Sequence, residues 1–140
     1  MTATNQGGTE VMLTFDAPTV LYFYPRDDTP GCTTEAGQFD AELQTYREAG
    51  VAVYGVSTDE VDSHREFAAE QGLDFDLLAD PDGEVAEAFG VDVSNGAADR
   101  TTFVCADGEV RAVYEGVSPD GHARTVLQDM LEMGLARLDE

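Results

Sequence analysis

The chain alternates short hydrophobic runs with amphipathic segments, and this pattern predicts strands and helices in alternation. The runs at residues 19–24 and 51–56 are rich in β-branched and aromatic residues, which is typical of buried central strands. The first run stops at Pro25, and a helix is expected from about Pro30 to the glycine stop at Gly50. Shorter elements are expected at 60–71 (helix), 77–79 (strand) and 84–89 (helix).

The second half of the chain has the signal of a β-hairpin. Two apolar segments, 101–106 and 109–114, are joined by the Asp107-Gly108 pair, which favours a tight turn. A last helix is expected to start near Ser118-Pro119, because serine caps helices well and proline suits the first helical position. Its apolar residues fall on one face and should dock on the sheet: Leu127, Met130, Leu131, Leu135 and Leu138.

This order of elements predicts an α/β fold. Because strands and helices alternate before a hairpin and a final helix, we expect a central mixed β-sheet flanked by helices on both faces. The length of 140 residues fits one domain, and no repeat, low-complexity stretch or long linker divides it. We therefore predict a single domain over residues 1–140.

The charge balance is strongly acidic. Twenty-nine Asp and Glu residues stand against seven Arg, and the net charge is −22. Such a surface repels nucleic acid and anionic membranes, so neither is an expected partner. The acidic residues are dispersed and lysine is absent, which suggests a protein adapted to high salt. No run reaches the ~20 apolar residues of a membrane span and the N-terminus has no signal-peptide pattern, so a cytoplasmic location is expected.

Two cysteines, Cys32 and Cys105, are too few for a disulfide framework or a zinc site, so their reactivity is what matters. Cys32 falls at the third position of the helix expected after the first strand, with Thr29 as N-cap and Pro30 at the first helical position. Free backbone N–H groups and the positive end of the helix dipole stabilise a thiolate there. Gly31 leaves room for a small ligand to approach the backbone.

A thiolate in this position also needs a cation. Arg26 is near in sequence but is expected to face solvent, whereas Arg100 stands just before the first strand of the predicted hairpin and can reach the site from there. Arginine stays charged and presents a fork of donors. Asp27, Asp28 and Glu35 oppose the thiolate, but donors at contact distance should outweigh them.

Other interpretations of these residues are structural. The alternative interpretation of Cys32 is an inert core thiol. A loop-to-helix junction is usually exposed, however, and this favours a reactive thiol. His64 and His122 lack ligand spacing, so no metal site is expected, and no glycine-rich phosphate loop is present. We therefore expect neither a metal nor another cofactor.

The segment VLYFYPRDDTPGCTTEA at residues 20–36 resembles the active-site segment of the bacterioferritin-comigratory-protein (PrxQ) peroxiredoxins. These belong to the AhpC/TSA group and have a thioredoxin-like fold. The spacing Pro25-x-x-x-Thr29-x-x-Cys32 is the peroxiredoxin pattern, and Arg100-Thr-Thr-Phe-Val resembles the segment that carries the family's active-site arginine. The similarity extends over nearly the whole chain.

The resemblance implies a role for each matching residue. Cys32 would be the peroxidatic cysteine, which attacks a peroxide oxygen and becomes a sulfenic acid. Pro25 would shield the sulfur from solvent and over-oxidation, and Thr29 would orient the peroxide oxygens. Arg100, with the backbone N–H groups of Gly31 and Cys32, would stabilise the thiolate and the charge that develops on the breaking O–O bond.

The chain departs from many members of this subfamily at the resolving cysteine. The usual position, five residues after the first cysteine, holds Gly37, and the other known position lies on the predicted helix 84–89, which has no cysteine. We interpret Cys105 as a buried core thiol on the strand face of Thr101 and Phe103, and a relocated resolving cysteine is the alternative. We therefore expect a 1-Cys cycle in which a low-molecular-weight thiol or a thioredoxin-like protein is the reductant.

The expected function is that of a thiol-dependent peroxidase acting on hydrogen peroxide and organic hydroperoxides, as a monomer or weak homodimer. A redox sensor or interaction module of the same fold is an alternative. A thioredoxin-like disulfide reductase is another, although it normally needs Cys-x-x-Cys, and Cys32 is followed by Thr33, Thr34 and Glu35. The N-terminus is shorter than usual for the family: residues 5–13 resemble its second N-terminal strand region, and the preceding hairpin is expected to be missing.

Overall fold

A computed structural model describes residues 1–138, so the last two residues of the predicted domain lie outside the described part. Its strands are β1 (Thr2–Asn5), β2 (Glu10–Met12), β3 (Thr19–Phe23), β4 (Ala52–Ser57), β5 (Asp76–Ala79), β6 (Val93–Ser94), β7 (Ala97–Ala98), β8 (Thr101–Ala106) and β9 (Glu109–Glu115). Its helices are α1 (Pro30–Glu48), α2 (Val61–Gln71), α3 (Glu84–Phe89) and α4 (His122–Glu132). Most of the expected elements are confirmed; β2 falls in the predicted strand region 5–13, while β1, β6 and β7 were not predicted.

The sheet is mixed, as predicted. Seven strands lie in the order β2-β1-β5-β4-β3-β8-β9, with β3, β4 and β5 parallel and the other pairs antiparallel. The fully buried strand β3 is at the centre, and its last residue, Phe23, lies opposite Val56 of β4 and Thr101 of β8. The ends of these three strands therefore meet where the chain leaves β3 and turns into α1.

Helices cover both faces of the sheet, which confirms the predicted layering. One core contains buried residues of α1, α2 and α4 packed on alternate residues of β3, such as Val20 and Tyr22. The other core contains α3 and the remaining residues of β3, Leu21 and Phe23. Because successive strand residues point to opposite faces, each position in β3 and β8 is assigned to one core by its parity.

The first residues of the chain form a hairpin, contrary to the expectation that a hairpin is missing there. Strand β1 pairs with β2 and also with β5, so the hairpin extends the main sheet at one edge. Residues 5–13 thus include the turn and the second strand of the hairpin rather than one strand region. The Asn5 side chain stabilises the turn by accepting hydrogen bonds from the N–H groups of Gly7 and Thr9.

Helix α4 begins at His122, later than the predicted start at Ser118-Pro119. The N-cap is Gly121, in the left-handed conformation at φ 80°, and its N–H donates to Gln38 Oε1 at 2.6 Å. The Gln38 amide in turn donates to Asp120 Oδ1 at 2.7 Å. A contact with α1 therefore fixes this turn, which the local sequence alone does not reveal.

The predicted docking of the last apolar residues is confirmed for Leu127, Met130, Leu131 and Leu135, which are buried in the core or packed against it, but not for Leu138. Leu127 and Met130 are buried, but α4 ends at Glu132, before Leu135 and Leu138. Leu135 is half-buried and Leu138 is exposed. Gly134, at φ 74°, turns the chain away from the helix direction.

No helix within residues 1–138 is long and apolar enough to span a bilayer.

Two glycines in the sheet and in α1 should respond in opposite ways to alanine. A Cβ at Gly55 of β4 would lie 2.8 Å from the hydroxyl of Tyr22, whose ring is stacked on Phe39, so Gly55→Ala should destabilise the fold by about 1–3 kcal/mol. A Cβ at Gly37 of α1 meets nothing within 4 Å, so Gly37→Ala should stabilise it by about 0.5–1 kcal/mol. Urea unfolding of both variants measures the difference, and a destabilised Gly37→Ala would contradict this account of α1.

The acidic surface makes stability depend on salt. With a net charge of −22, self-repulsion should weaken as the screening length falls from ~10 Å at 0.1 M salt to ~3 Å at 1 M. We expect the melting temperature to rise by at least about 5 °C over this range of KCl. Sucrose, which carries no charge, serves as the control, and a melting temperature that KCl leaves unchanged would contradict adaptation to high salt.

Candidate active site

Cys32 lies in the first turn of α1, directly after the loop that follows β3. Thr29 is the N-cap residue and Pro30 the first helical residue, as predicted. The Thr29 hydroxyl does not cap the helix but donates to the Arg26 carbonyl at 3.0 Å. The first N–H groups of a helix lack intrahelical partners, so the backbone around Gly31 and Cys32 presents donors towards an anion.

The cation at this site is Arg100. Its Nη2 donates to Cys32 Sγ at 3.4 Å. Arg100 precedes β8 on the same parity as Thr102 and Val104, which places it on the α1 face of the sheet. The register Phe23–Thr101 brings it beside the end of β3, where the loop to α1 begins. The predicted pairing of Cys32 with Arg100 is therefore found in the structure.

Glu35 shares the guanidinium with the sulfur, a contact that the sequence analysis did not predict. Arg100 Nη1 donates to Glu35 Oε1 at 2.6 Å, and Glu35 is only 1% exposed. Its second oxygen, Oε2, is buried and finds no hydrogen-bond partner within residues 1–138. Burial raises the pKa of Glu35 to about 7, although Arg100 opposes the rise. Burial acts to lower the pKa of Arg100, but Glu35 and Cys32 raise it overall.

Cys32 is buried, contrary to the expectation of an exposed junction. Its exposure is 1%, because it begins the buried stripe of α1 that continues through Glu35, Ala36 and Phe39. A Cβ on Gly31 would lie 3.1 Å from Arg100 Nη2 and 3.5 Å from the Pro119 ring, so these groups close over the helix start. The sulfur is thus enclosed by the helix start and its neighbours rather than open to solvent.

The other predicted site residues lie in the same loop. Pro25 comes directly after β3 and is half-buried, as is Thr29. Arg26 is exposed, as expected, and does not compete with Arg100 for the sulfur. The loop 25–29 therefore carries Pro25 and Thr29, the two predicted site residues that lie before the start of α1.

Two histidines near the site have distinct environments. His122 Nε2 lies 2.8 Å from the Thr102 hydroxyl, and burial, with the charge of Arg100, lowers the pKa of His122 to about 4. It is therefore neutral at neutral pH. His64 instead lies with Asp27 and Asp59, and one ligand atom of each falls within 4.8 Å of the others. His64 Nδ1 is hydrogen-bonded to Asp27 Oδ2, while Asp59 Oδ2 accepts from the Asp27 backbone N–H and from the Ser57 hydroxyl. Spacing along the chain did not reveal this grouping.

The sequence and the structure both match known proteins. The AhpC/TSA family pattern covers residues 1–113. Peroxiredoxin Bcp of Xanthomonas campestris is 40% identical over 131 residues, which cover 86% of this chain and 82% of that protein. The chain belongs to the AhpC/TSA family.

Solved structures of this family superpose on the whole fold. The bacterioferritin comigratory protein of Xanthomonas campestris has a TM-score of 0.88 at 36% identity, over 95% of this chain and 91% of that one. The peroxidoxin BcpB of Mycobacterium tuberculosis also gives 0.88 at 36%, over 95% and 92%. These matches confirm the predicted Bcp/PrxQ peroxiredoxin resemblance and the thioredoxin-like fold. Peroxiredoxins are thiol-dependent peroxidases, and the chain is an enzyme of that class.

The second cysteine of this peroxiredoxin lies on the opposite side of the sheet. Cys105 is 1% exposed and packs in the core with Leu21, Phe23 and Phe103, whereas Cys32 belongs to the core on the other face. Burial raises the pKa of the Cys105 thiol to about 11. The predicted strand-face position of Cys105 is confirmed, and the sheet separates the two sulfurs.

Replacing Glu35 should change how stability depends on pH. The pKa of its carboxyl is about 7 in the fold against an ordinary 4.5, so its contribution to stability is complete below pH 4.5 and is lost as the pH rises through 7. Glu35→Gln does not titrate. Its unfolding free energy relative to wild type should therefore rise by about 3 kcal/mol between pH 4.5 and pH 8. Urea unfolding at both pH values tests this, and a difference that does not change with pH would contradict an ionising, buried Glu35.

Proposed function

We propose that Cys32 is the peroxidatic cysteine of a peroxidase that reduces hydrogen peroxide and organic hydroperoxides. The observation that carries the proposal is the contact of Arg100 Nη2 with Cys32 Sγ at 3.4 Å, at the start of α1. An arginine and a helix N-terminus stabilise the thiolate, which is the nucleophilic form. The same donors face the oxygens of a peroxide that approaches the sulfur.

The reaction takes place in two stages. The Cys32 thiolate attacks one peroxide oxygen, the O–O bond breaks, and the departing oxygen takes a proton to leave as water or alcohol, so the sulfur becomes a sulfenic acid. An external thiol then condenses with the sulfenic acid, releasing water and forming a mixed disulfide. A second thiol attacks this disulfide, restores the Cys32 thiol and leaves the reductant oxidised.

Thr29 and Pro25 belong to the first stage in this proposal. The Thr29 hydroxyl is at the helix start and donates to the Arg26 carbonyl at 3.0 Å. A hydroxyl can rotate, so in this proposal it turns towards a peroxide oxygen. Pro25, half-buried after β3, limits the access of water to the sulfur. The backbone N–H groups of Gly31 and Cys32 supply further donors to the charge that develops on the breaking bond.

A 1-Cys cycle is supported by the location of the second thiol. Cys105 lies in the core on the opposite face of the sheet from Cys32, and a disulfide requires Cα atoms within about 7 Å. Gly37 occupies the helical position of the usual resolving cysteine. The reductant is therefore a low-molecular-weight thiol or a thioredoxin-like protein. Both thiols are free, which fits the reducing cytoplasm as location.

Organic hydroperoxides are included because of the activity described for a relative. The bacterioferritin comigratory protein of Xanthomonas campestris is described with alkyl peroxide reduction activity. We infer that this chain also accepts peroxides with an alkyl substituent.

A monomer or weak homodimer is proposed from the charge and the free sheet edge. Strand β9 lies at one edge of the sheet and exposes Val110 and Val113, but charged Glu109, Arg111 and Glu115 lie between and beside them. Charged residues on an edge strand disfavour pairing with another chain. The net charge of −22 adds repulsion between copies.

Peroxide consumption by cysteine variants tests the proposed cycle. With dithiothreitol as reductant, Cys32→Ser should lose turnover by at least about a thousandfold, because the nucleophile is gone. Cys105→Ser should stay within about twofold of wild type, because that thiol is buried and remote. Mass analysis without reductant, after one equivalent of peroxide, should find a sulfenic acid on Cys32 and no disulfide between the two cysteines.

Each failure of this experiment has a distinct meaning. Full activity of Cys32→Ser would contradict the proposed nucleophile. A Cys32–Cys105 disulfide would replace the 1-Cys cycle with a 2-Cys cycle. Oxidation of Cys32 without repeated turnover would favour a redox sensor.

A further inference from the structure

A buried hydrogen-bond network outside the proposed catalytic residues is centred on the carboxylate of Asp27. Its Oδ1 accepts a hydrogen bond from the Tyr24 hydroxyl at 2.6 Å, and its Oδ2 accepts one from the Ser63 hydroxyl at 2.8 Å. Oδ2 also faces His64 Nδ1 at 2.7 Å. The Asp27 backbone N–H donates to Asp59 Oδ2 at 2.8 Å. We call these five residues the Asp27 latch.

The latch contains a buried His–Asp pair. His64 Nδ1 lies 2.7 Å from Asp27 Oδ2, and His64 Nε2 lies 3.1 Å from the Leu78 carbonyl oxygen. Both side chains are almost fully buried. Burial alone would raise the pKa of Asp27, but hydrogen bonds from His64, Tyr24 and Ser63 lower it overall. Such a pair is costly to break by removing one partner.

The latch joins the active-site loop to the neighbouring helix. Asp27 is the middle residue of the loop 25–29, which carries Pro25 and Thr29. Ser63 and His64 belong to the first turns of α2. The side chain and the backbone of Asp27 are both bonded outside the loop, so α2 determines where the loop lies relative to the start of α1.

The second stage of the cycle needs the loop to move. Cys32 is 1% exposed, so a thiol carried by a protein cannot reach a sulfenic acid there in the closed structure. We propose that the Asp27 latch positions the loop 25–29. While the latch is intact, the loop places Pro25 and Thr29 around Cys32 for the peroxide. When the latch hydrogen bonds break, the loop moves and the reducing thiol can reach the sulfur. This inference rests on the proposed function. Asp27 and His64 act through the loop, so they are positioning residues.

Two variants weaken the latch, and a third serves as control. Asp27→Asn removes the charge, and Ser63→Ala removes one donor without changing the charge. Asp80→Asn is the matched control, because Asp80 is also a buried carboxylate, which accepts from the N–H groups of Val85 and Ala86 at the start of α3. For each protein, two rates at Cys32 are measured by peptide-resolved mass analysis: oxidation by hydrogen peroxide in a single turnover, and alkylation by a bulky maleimide.

The two rates should change in opposite directions. In Asp27→Asn, alkylation should rise by about tenfold because the loop opens more often, and oxidation should fall by about tenfold because the peroxide site is less often complete. Ser63→Ala should show the same signs at about threefold. Asp80→Asn should leave both rates near wild type even where its melting temperature falls.

The proposal would be overturned if Asp27→Asn and Ser63→Ala left both rates unchanged. It would also be overturned if Asp80→Asn changed the two rates as much as Asp27→Asn does. If Asp27→Asn does not fold, the rates of Ser63→Ala test the proposal, because that variant removes only one hydroxyl group and should still fold. Failure of the proposed function is a separate result: the wild-type protein would then not be oxidised rapidly at Cys32. Alkylation would still report whether the latch controls access to the sulfur.

Discussion

The site depends on one guanidinium that bonds to two buried groups at once. Arg100 donates through different nitrogens to Cys32 Sγ at 3.4 Å and to Glu35 Oε1 at 2.6 Å. This geometry requires the planar fork of arginine, since an ammonium group is a single point charge. It also requires the sheet register, because Arg100 reaches α1 only when Thr101 is opposite Phe23. A register shifted by one residue would turn the arginine to the other face.

Local contacts outweigh the charge of the whole molecule at this site. The net charge of −22 is spread over the surface, where water and salt screen it beyond about 10 Å. Arg100 is at contact distance and is only partly exposed, so its interaction with the sulfur is screened much less. Of the two acidic residues of the loop, Asp27 is paired with His64 and Asp28 is exposed to solvent. The acidic composition therefore does not outweigh the contact between Arg100 and the Cys32 sulfur.

Local sequence signals predicted most of the helices and strands. The features that the sequence did not predict depend on contacts between residues far apart in the chain. Strand β3, helix α1 and the hairpin of β8 and β9 follow from apolar runs, proline and glycine, all read within one segment. The late start of α4 depends on Gln38, more than 80 positions away from Gly121. The pairing of Glu35 with Arg100 spans 65 positions, and sequence alone gave Glu35 only the role of an opposing charge. Spacing along the chain carries no information on such contacts.

The pKa values of the two buried carboxylates Asp27 and Glu35 shift in opposite directions. Burial alone would raise the pKa of Asp27, but hydrogen bonds from His64, Tyr24 and Ser63 lower it overall, which favours the ionised form. Glu35 is buried without a full partner set, and its pKa is raised to about 7. When Cys32 is a thiolate, a protonated Glu35 leaves Arg100 balanced by the sulfur alone, whereas an ionised Glu35 adds one buried negative charge. The burial of Glu35 therefore favours the protonation state in which the arginine serves the thiolate.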